Sequence, residues 1–292
     1  MERFNVENVE ITRPGPNVTR IKVHCGSKDA STLPVMLTAD RHWDNPKSDH
    51  ALQLKHLEWA KERDALIVDV GDLFCAMQGK GDRRASKGDI RPEHDTPNYL
   101  GALSKTAAEF FEPYAKHMAV FFHGNHETSV IKHKEYDLTE RLSHDINRAG
   151  GQSQKMGYSG FVQVQFIRGR ASFSWTMYCA HGSGGGGPVT KGVIGTNRRA
   201  VFQPDADLVA TGHIHESWVM EITRERVLQS GQTYIDTQTH IQIPTYKEEY
   251  LSHKGWHVER GAPPKPMGAW AIEFGCHRYR KRESEYQIMR LK

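Results

Sequence analysis

Cysteine is scarce. The 292 residues hold four, at positions 25, 75, 179 and 276, and no two of them have Cys-x-x-Cys spacing. This excludes a dense disulfide framework and argues against a structural zinc knuckle. Long apolar runs are missing as well. Residues Met1 to Glu10 mix charges of both signs and carry no apolar core of signal-peptide length. No stretch approaches the roughly 20 apolar residues of a membrane-spanning helix. No fixed-period repeat or low-complexity linker divides the chain. The expectation is a cytoplasmic, reduced protein with no membrane partner. It is read as one domain over 1–292, with a motif core at about 33–220 and a strand-rich extension at about 244–292. An excess of one charge is also absent: 39 Lys and Arg stand against 35 Asp and Glu. The net charge of +4 permits an anionic substrate without demanding nucleic acid, and a solvated basic surface gives the same balance.

What the chain does have is pattern. Residues 8 to 25 read as a hairpin around Pro14-Gly15-Pro16, and Leu33 to Ala39 as a short buried strand. Ser48 to Arg63 has helical spacing, and Ala65 to Val70 reads as a second buried strand. A polar loop at Gln78 to Pro97 carries Lys80, Arg83, Arg84, Lys87 and Arg91. Asn98 to Lys116 reads as a helix despite Pro113, and Met118 to Phe122 as a third strand leading to Gly124-Asn125-His126-Glu127. Leu138 to Arg148 is helical, stopped by Gly150-Gly151. Phe161 to Ile167 and Ser172 to Cys179 alternate as half-exposed strands. Lys191 to Phe202 reads as helix, Asp207 to Ala210 as strand, Trp218 to Gln242 as mostly strand, and Trp270 to Phe274 as strand. Strand and helix alternate in both halves. The predicted fold class is an α/β (α+β) four-layer sandwich, two packed mixed sheets flanked by helices.

The strand ends share a chemistry. They finish in Asp40 and His42, Asp72, Asn125 and His126, His181, and His213 and His215. Carboxylate, amide and imidazole without thiolate suit a transition metal of intermediate hardness, such as manganese, iron or zinc. One ion cannot use so many donors. Two ions ~3.5–4 Å apart would use them all, sharing one carboxylate. Asp72 is the natural bridge, because its motif supplies only one ligand group. Residues two apart on a strand share a face, so Asp40 and His42 converge if the extended geometry persists. At His213 and His215 the same offset can serve two adjacent ions. Any one of these histidines alone reads as an ordinary packed or surface imidazole.

Taken in order, Asp40-x-His42, Gly71-Asp72, Gly124-Asn125-His126-Glu127, the isolated His181 and Gly212-His213-x-His215 resemble the motifs of calcineurin-like metallophosphoesterases. His42-Trp43-Asp44-Asn45-Pro46 and Gly71-Asp72-Leu73-Phe74 look most like the bacteriophage and prophage members, which would place the protein in a host cytoplasm. The resemblance implies the metallophosphoesterase fold and two divalent ions. Manganese is expected first, with iron, zinc or nickel as alternatives. Asp40, His42 and His215 would hold one ion. Asn125, His181 and His213 would hold the other, with Asp72 between them. A metal-bridging hydroxide would attack phosphorus, and His126 would stabilise the phosphoryl oxygens or protonate the leaving group. The chain departs from the family at Cys75, where a second acid usually orients the catalytic histidine. A thiol is a weak acceptor, and Asp44 and Asp82 are the nearby substitutes.

Three features stay open on sequence alone. Gly184 to Gly187 could let a phosphate approach backbone N–H groups or be a plain loop. Arg83 and Arg84 could bind substrate or be solvated. His277 to Arg282 could be a nucleic-acid surface or a charge-protected edge strand. The leading function is a phosphodiesterase acting on nucleotides or nucleic acid. The alternatives are a phosphomonoesterase or protein phosphatase and, from another class, a non-catalytic metal-binding scaffold.

Overall fold

The computed structural model describes residues 2–3, 5–25, 30–76, 87–187, 189–251, 256–259, 261–277 and 285–292. A short strand, β1 (Glu2–Arg3), precedes a hairpin of β2 (Val9–Gly15) and β3 (Val18–His24). Strand and helix then alternate through β4 (Ala30–Thr38), α1 (His50–Glu62), β5 (Leu66–Asp69), α2 (Tyr99–Phe111) and β6 (Met118–Phe121). Two helices, α3 (Asn125–Lys134) and α4 (Leu138–Arg148), lead to the short β7 (Gln154–Lys155). Next come β8 (Ser159–Arg168), β9 (Ala171–Ala180), α5 (Gly195–Phe202) and β10 (Leu208–Thr211). A long hairpin of β11 (Trp218–Val227) and β12 (Thr233–Gln242) follows, then α6 (Trp256–Glu259), β13 (Ala269–His277) and β14 (Tyr286–Leu291).

Two mixed sheets result. The first runs β14-β13-β4-β5-β6-β7, with β1 also paired to β4. The second runs β11-β12-β10-β9-β8-β3-β2. They pack face to face because their inner positions are apolar. In β8, buried Val162, Val164 and Phe166 alternate with half-exposed Gln163 and Gln165. These residues meet Leu33, Val35 and Leu37 of β4 in one cluster. The other face of β4, β5 and β6 meets the helices, with Met36, Ile67 and Phe121 against Leu57, Leu103, Phe111 and Leu142. Strands covered on both faces are mostly apolar, which is why β5 and β6 read as apolar runs, broken only by the buried Asp69 at the end of β5. Each such side chain contributes about 1.5–3 kcal/mol on burial. The fourth layer is thin. In α5, Thr196 Oγ1 lies 3.5 Å from Met220 Sδ of β11, and Gln238 of β12 donates to Gln203 O just past the helix at 2.8 Å.

Register places the strand ends together. In the parallel run β4-β5-β6, Thr38 pairs with Asp69 and Asp69 with Phe121. The residues that follow these strands, among them Asp40, Asp72 and Asn125, therefore emerge along one edge. In the second sheet Ala180 pairs with Thr211, so His181 and Gly212 emerge side by side. Chemistry in α/β sheets sits at such carboxyl edges.

The structure differs from the sequence expectation at several elements. Pro113 has no N–H to continue the helix, so α2 ends at Phe111 and Glu112–His117 tightens to 3-10 geometry. Asn125–Lys134 is helical, so Asn125, His126 and Glu127 open a helix instead of a loop. Tyr286–Leu291 forms β14, which patterning alone did not mark. The strand expected at Trp270 to Phe274 is found as β13, paired between β4 and β14 in the first sheet. Among the described residues no helix is long and apolar enough to cross a membrane.

Candidate metal centre

Backbone pairing continues past the strand ends and locks the loops. Asp40 N–H donates to Gly71 O at 2.9 Å, and His42 N–H to Asp72 O at 3.0 Å. The Glu127 carboxylate, fully buried, accepts from the N–H groups of Asp72, Phe74 and Gly124 at 3.1, 2.8 and 2.8 Å. It thus ties the loop after β5 to the loop after β6. Two glycines permit the approach. A Cβ on Gly124 would overlap the Asp72 carboxylate, and one on Gly212 would stand 2.8 Å from Asp40 Oδ2.

The expected extended geometry at Asp40 and His42 does not persist. Their φ angles are 50° and 42°, and Asp72, His213 and His215 are also left-handed, at 52°, 73° and 54°. Left-handed backbone is rare for non-glycine residues and gathers at functional sites. Asp40 and His42 still converge, through this turn and not through a shared strand face.

The side chains meet in two groups, Asp40 with His42 and His215, and Asp72 with His181 and His213. Three imidazole nitrogens approach Asp40 Oδ1: His215 Nε2 at 3.2 Å, His181 Nε2 at 3.9 Å and His42 Nε2 at 4.0 Å. His42 Nε2 and His215 Nε2 are 3.4 Å apart. His181 Nε2 is 3.1 Å from Asp72 Oδ2. Asn125 sits at the start of α3, and its Oδ1 is buried and accepts no hydrogen bond.

These residues fit divalent cations. Asp40 and Asp72 are buried, and among the described residues neither pairs with lysine or arginine. Asp40 Oδ1 accepts no hydrogen bond. Buried charge without compensation is expensive, and converging acceptor atoms repel unless a cation lies between them. The field is visible at His181. Burial lowers its pKa, but Asp72 and Asp40 outweigh this and push it up to about 10. Burial and then the His126 charge hold His42 well below its usual range, the state in which imidazole can be a ligand. A donor set of imidazole, carboxylate and amide suits zinc, iron or manganese. A further group, His42, Cys75 and His126, is close enough to share an ion, but burial pushes the Cys75 thiol far up and disfavours its thiolate.

At position 75, where the resemblance would have an acid, His126 meets a main-chain carbonyl. His126 Nδ1 contacts Cys75 O at 2.5 Å, while Nε2 points toward the centre, 3.8 Å from Asp72 Oδ2. A carbonyl can only accept, so Nδ1 carries the proton. The same peptide unit donates Ala76 N–H to Asp44 Oδ2 at 2.8 Å, and Cys75 N–H donates to Asp44 Oδ1 at 2.5 Å. A carboxylate thus acts on the histidine through one polarised peptide. Ala76, at φ 46°, is bent to present it.

Arg83, Arg84, Lys80 and Asp82 lie outside the described residues. Arg91 donates to Ser48 O at 3.1 Å and so anchors a loop. Of the run His277 to Arg282, only the backbone of His277, ending β13, is described. Sequence reasoning missed a strap over Asp40. The Asp40 carbonyl accepts from Thr245 Oγ1 at 2.8 Å and Tyr246 N–H at 3.1 Å. It missed Arg41 too. That side chain is fully buried, bonded to Asp69 at 2.9 Å and held between the rings of Phe111 and Tyr246. No local pattern marks a contact across 205 residues.

No family model matches the sequence, and no curated protein matches it. Among solved structures, a predicted phosphoesterase from Streptococcus pneumoniae TIGR4 is 9% identical over 88% of this chain and 98% of its own, with a TM-score of 0.32. Vps29 complexed with Zn2+ from Entamoeba histolytica is 9% identical over 89% and 100%, with a TM-score of 0.32. GAP50, the anchor in the inner membrane complex of Plasmodium, is 11% identical over 89% of each chain, with a TM-score of 0.45. At these values the likenesses assign the chain to no family.

Proposed function

We propose that the chain is a metal-dependent phosphoesterase of the calcineurin-like kind, closest to its phage-type members, and that it uses two divalent ions. The observation that supports this most is the pair of adjoining groups, Asp40-His42-His215 and Asp72-His181-His213, at two facing strand edges. Asp40, His42 and His215 would hold one ion. Asn125, His181 and His213 would hold the other, with Asp72 shared. Manganese is the first choice on the family resemblance, and the ligand set also suits iron and zinc. When bound, the ions would neutralise phosphoryl oxygens and lower the pKa of a water toward neutrality.

The chain's own residues do the rest. His126, with Nδ1 hydrogen-bonded to Cys75 O, turns Nε2 toward the centre. In its protonated form Nε2 would donate to the leaving-group oxygen. Asp44 is a positioning residue, acting through the Cys75–Ala76 peptide. Asp44→Asn turns one acceptor into a donor facing an N–H. The expected result is an unchanged metal content and a kcat about tenfold lower for alkyl esters, less than the 10²–10⁴-fold that a whole general acid supplies, with little change for p-nitrophenyl esters. Kinetics across leaving-group pKa measure this, and equal losses throughout would contradict it.

Within this activity we take phosphodiesters of nucleotides or nucleic acid as the substrate class. Basic residues 80, 83, 84, 87 and 91 follow Asp72 closely in the chain. A panel of aryl monoester, aryl diester, cyclic nucleotide and DNA, run with added Mn2+, tests it. Manganese-dependent hydrolysis that favours the diesters is expected. Monoester preference would replace the substrate class, and no hydrolysis of any member would contradict the enzyme reading.

A further inference from the structure

Beside the His181–His213 edge lies a cavity of about 250 Å³. Gly182 and Gly212 form its inner wall, and a Cβ on Gly182 would stand 3.6 Å from His213 Cβ. Ser183, Thr190, Ile214 and Arg199 of α5 also line it. Gln242 is there too, but its amide is committed to Gly212 O and Thr211 Oγ1 at 2.7 and 2.9 Å. Arg199 is the one cation in the lining. Its side chain is half-buried, and among the described residues no carboxylate pairs with it and its guanidinium makes no hydrogen bond. The titratable groups that act on it are Tyr178 and His240. Its guanidinium keeps part of its hydration and faces no anion, and its planar fork suits two oxygens of a phosphate.

We infer that this cavity binds a second phosphate of the substrate, one outside the ester being cleaved. The inference rests on the phosphoesterase reading, which supplies the class of anion. The volume is below the ~300 Å³ of sites that enclose drug-sized ligands, so it suits a phosphate with its attached carbon and not a whole nucleotide. The phosphate could come from the next nucleotide of a strand or from a polyphosphate chain. Either source offers the same group to Arg199.

Three substrates separate the cases in metal-loaded, full-length protein. A thymidine trinucleotide offers a neighbouring phosphodiester, diadenosine tetraphosphate offers a polyphosphate, and bis-p-nitrophenyl phosphate offers no second phosphate. Arg199→Ala should raise KM about tenfold or more for one of the first two, as loss of a charge-assisted hydrogen bond does. The third should be unchanged, and Arg199→Lys should recover part of the loss. An equal change for all three, or for none, would overturn the inference. Calorimetric titration of metal-free protein with inorganic tripolyphosphate needs no turnover. Binding weakened about tenfold in Arg199→Ala supports the cavity even if the protein hydrolyses nothing, so the two readings can fail separately. Equal affinities for wild type and Arg199→Ala would overturn it.

Discussion

Asp72→Ala is expected to abolish phosphate-ester hydrolysis and to release most of the bound metal. Asp72 Oδ2 lies 3.1 Å from His181 Nε2, and its Oδ1 accepts the His126 N–H at 2.9 Å. Its carboxylate is therefore set where the two halves of the centre adjoin. Without it the second group keeps no carboxylate, and the first turn of α3, which presents His126, loses an anchor. Metal ions contribute several kcal/mol to such reactions, so a loss of about 10³-fold or more in kcat is expected. The fold should survive. The buried Glu127, whose pKa burial and then the Asp72 charge push up to about 8, loses a repulsive neighbour. Kinetics, elemental analysis and thermal unfolding on one preparation measure all three. Full metal content with full activity would remove Asp72 from the centre.

His126→Ala should behave differently. Its Nε2 faces the centre, but its ring is held from outside by Cys75 O, so the ions should stay. Turnover of alkyl esters should fall about 10²–10⁴-fold, the usual contribution of general acid–base catalysis. Activated aryl esters, whose leaving groups need no proton, should fall much less. A uniform loss would mean that the imidazole stabilises phosphoryl oxygens instead. Loss of metal would make it a ligand.

Much of this site was legible because its donors sit at short offsets on recognisable strand ends. Asp40, Asp72 and His181 each follow an apolar or alternating run, and register does the assembly. What was not legible depends on distance or on backbone strain. Asp44 was named as a substitute for the absent acid, but its route to His126, through the Cys75–Ala76 peptide, was not. Glu127 spans the two loops from the third position of a helix whose apolar pattern is weak. The Thr245–Tyr246 strap and the Arg41 anchor need the finished sandwich. Left-handed φ at Asp40 and His42 cannot be read from residue type, since neither is glycine. Arg83 and Arg84 lie outside the described residues.

The most direct measurement is a metal count. Wild-type protein saturated with Mn2+ and then freed of unbound ion should retain two ions per chain by elemental analysis, and Asp72→Ala fewer than one. Wild-type protein that retains no ion, and that added Mn2+ does not activate toward any phosphate ester, would contradict the centre on which the proposed function stands.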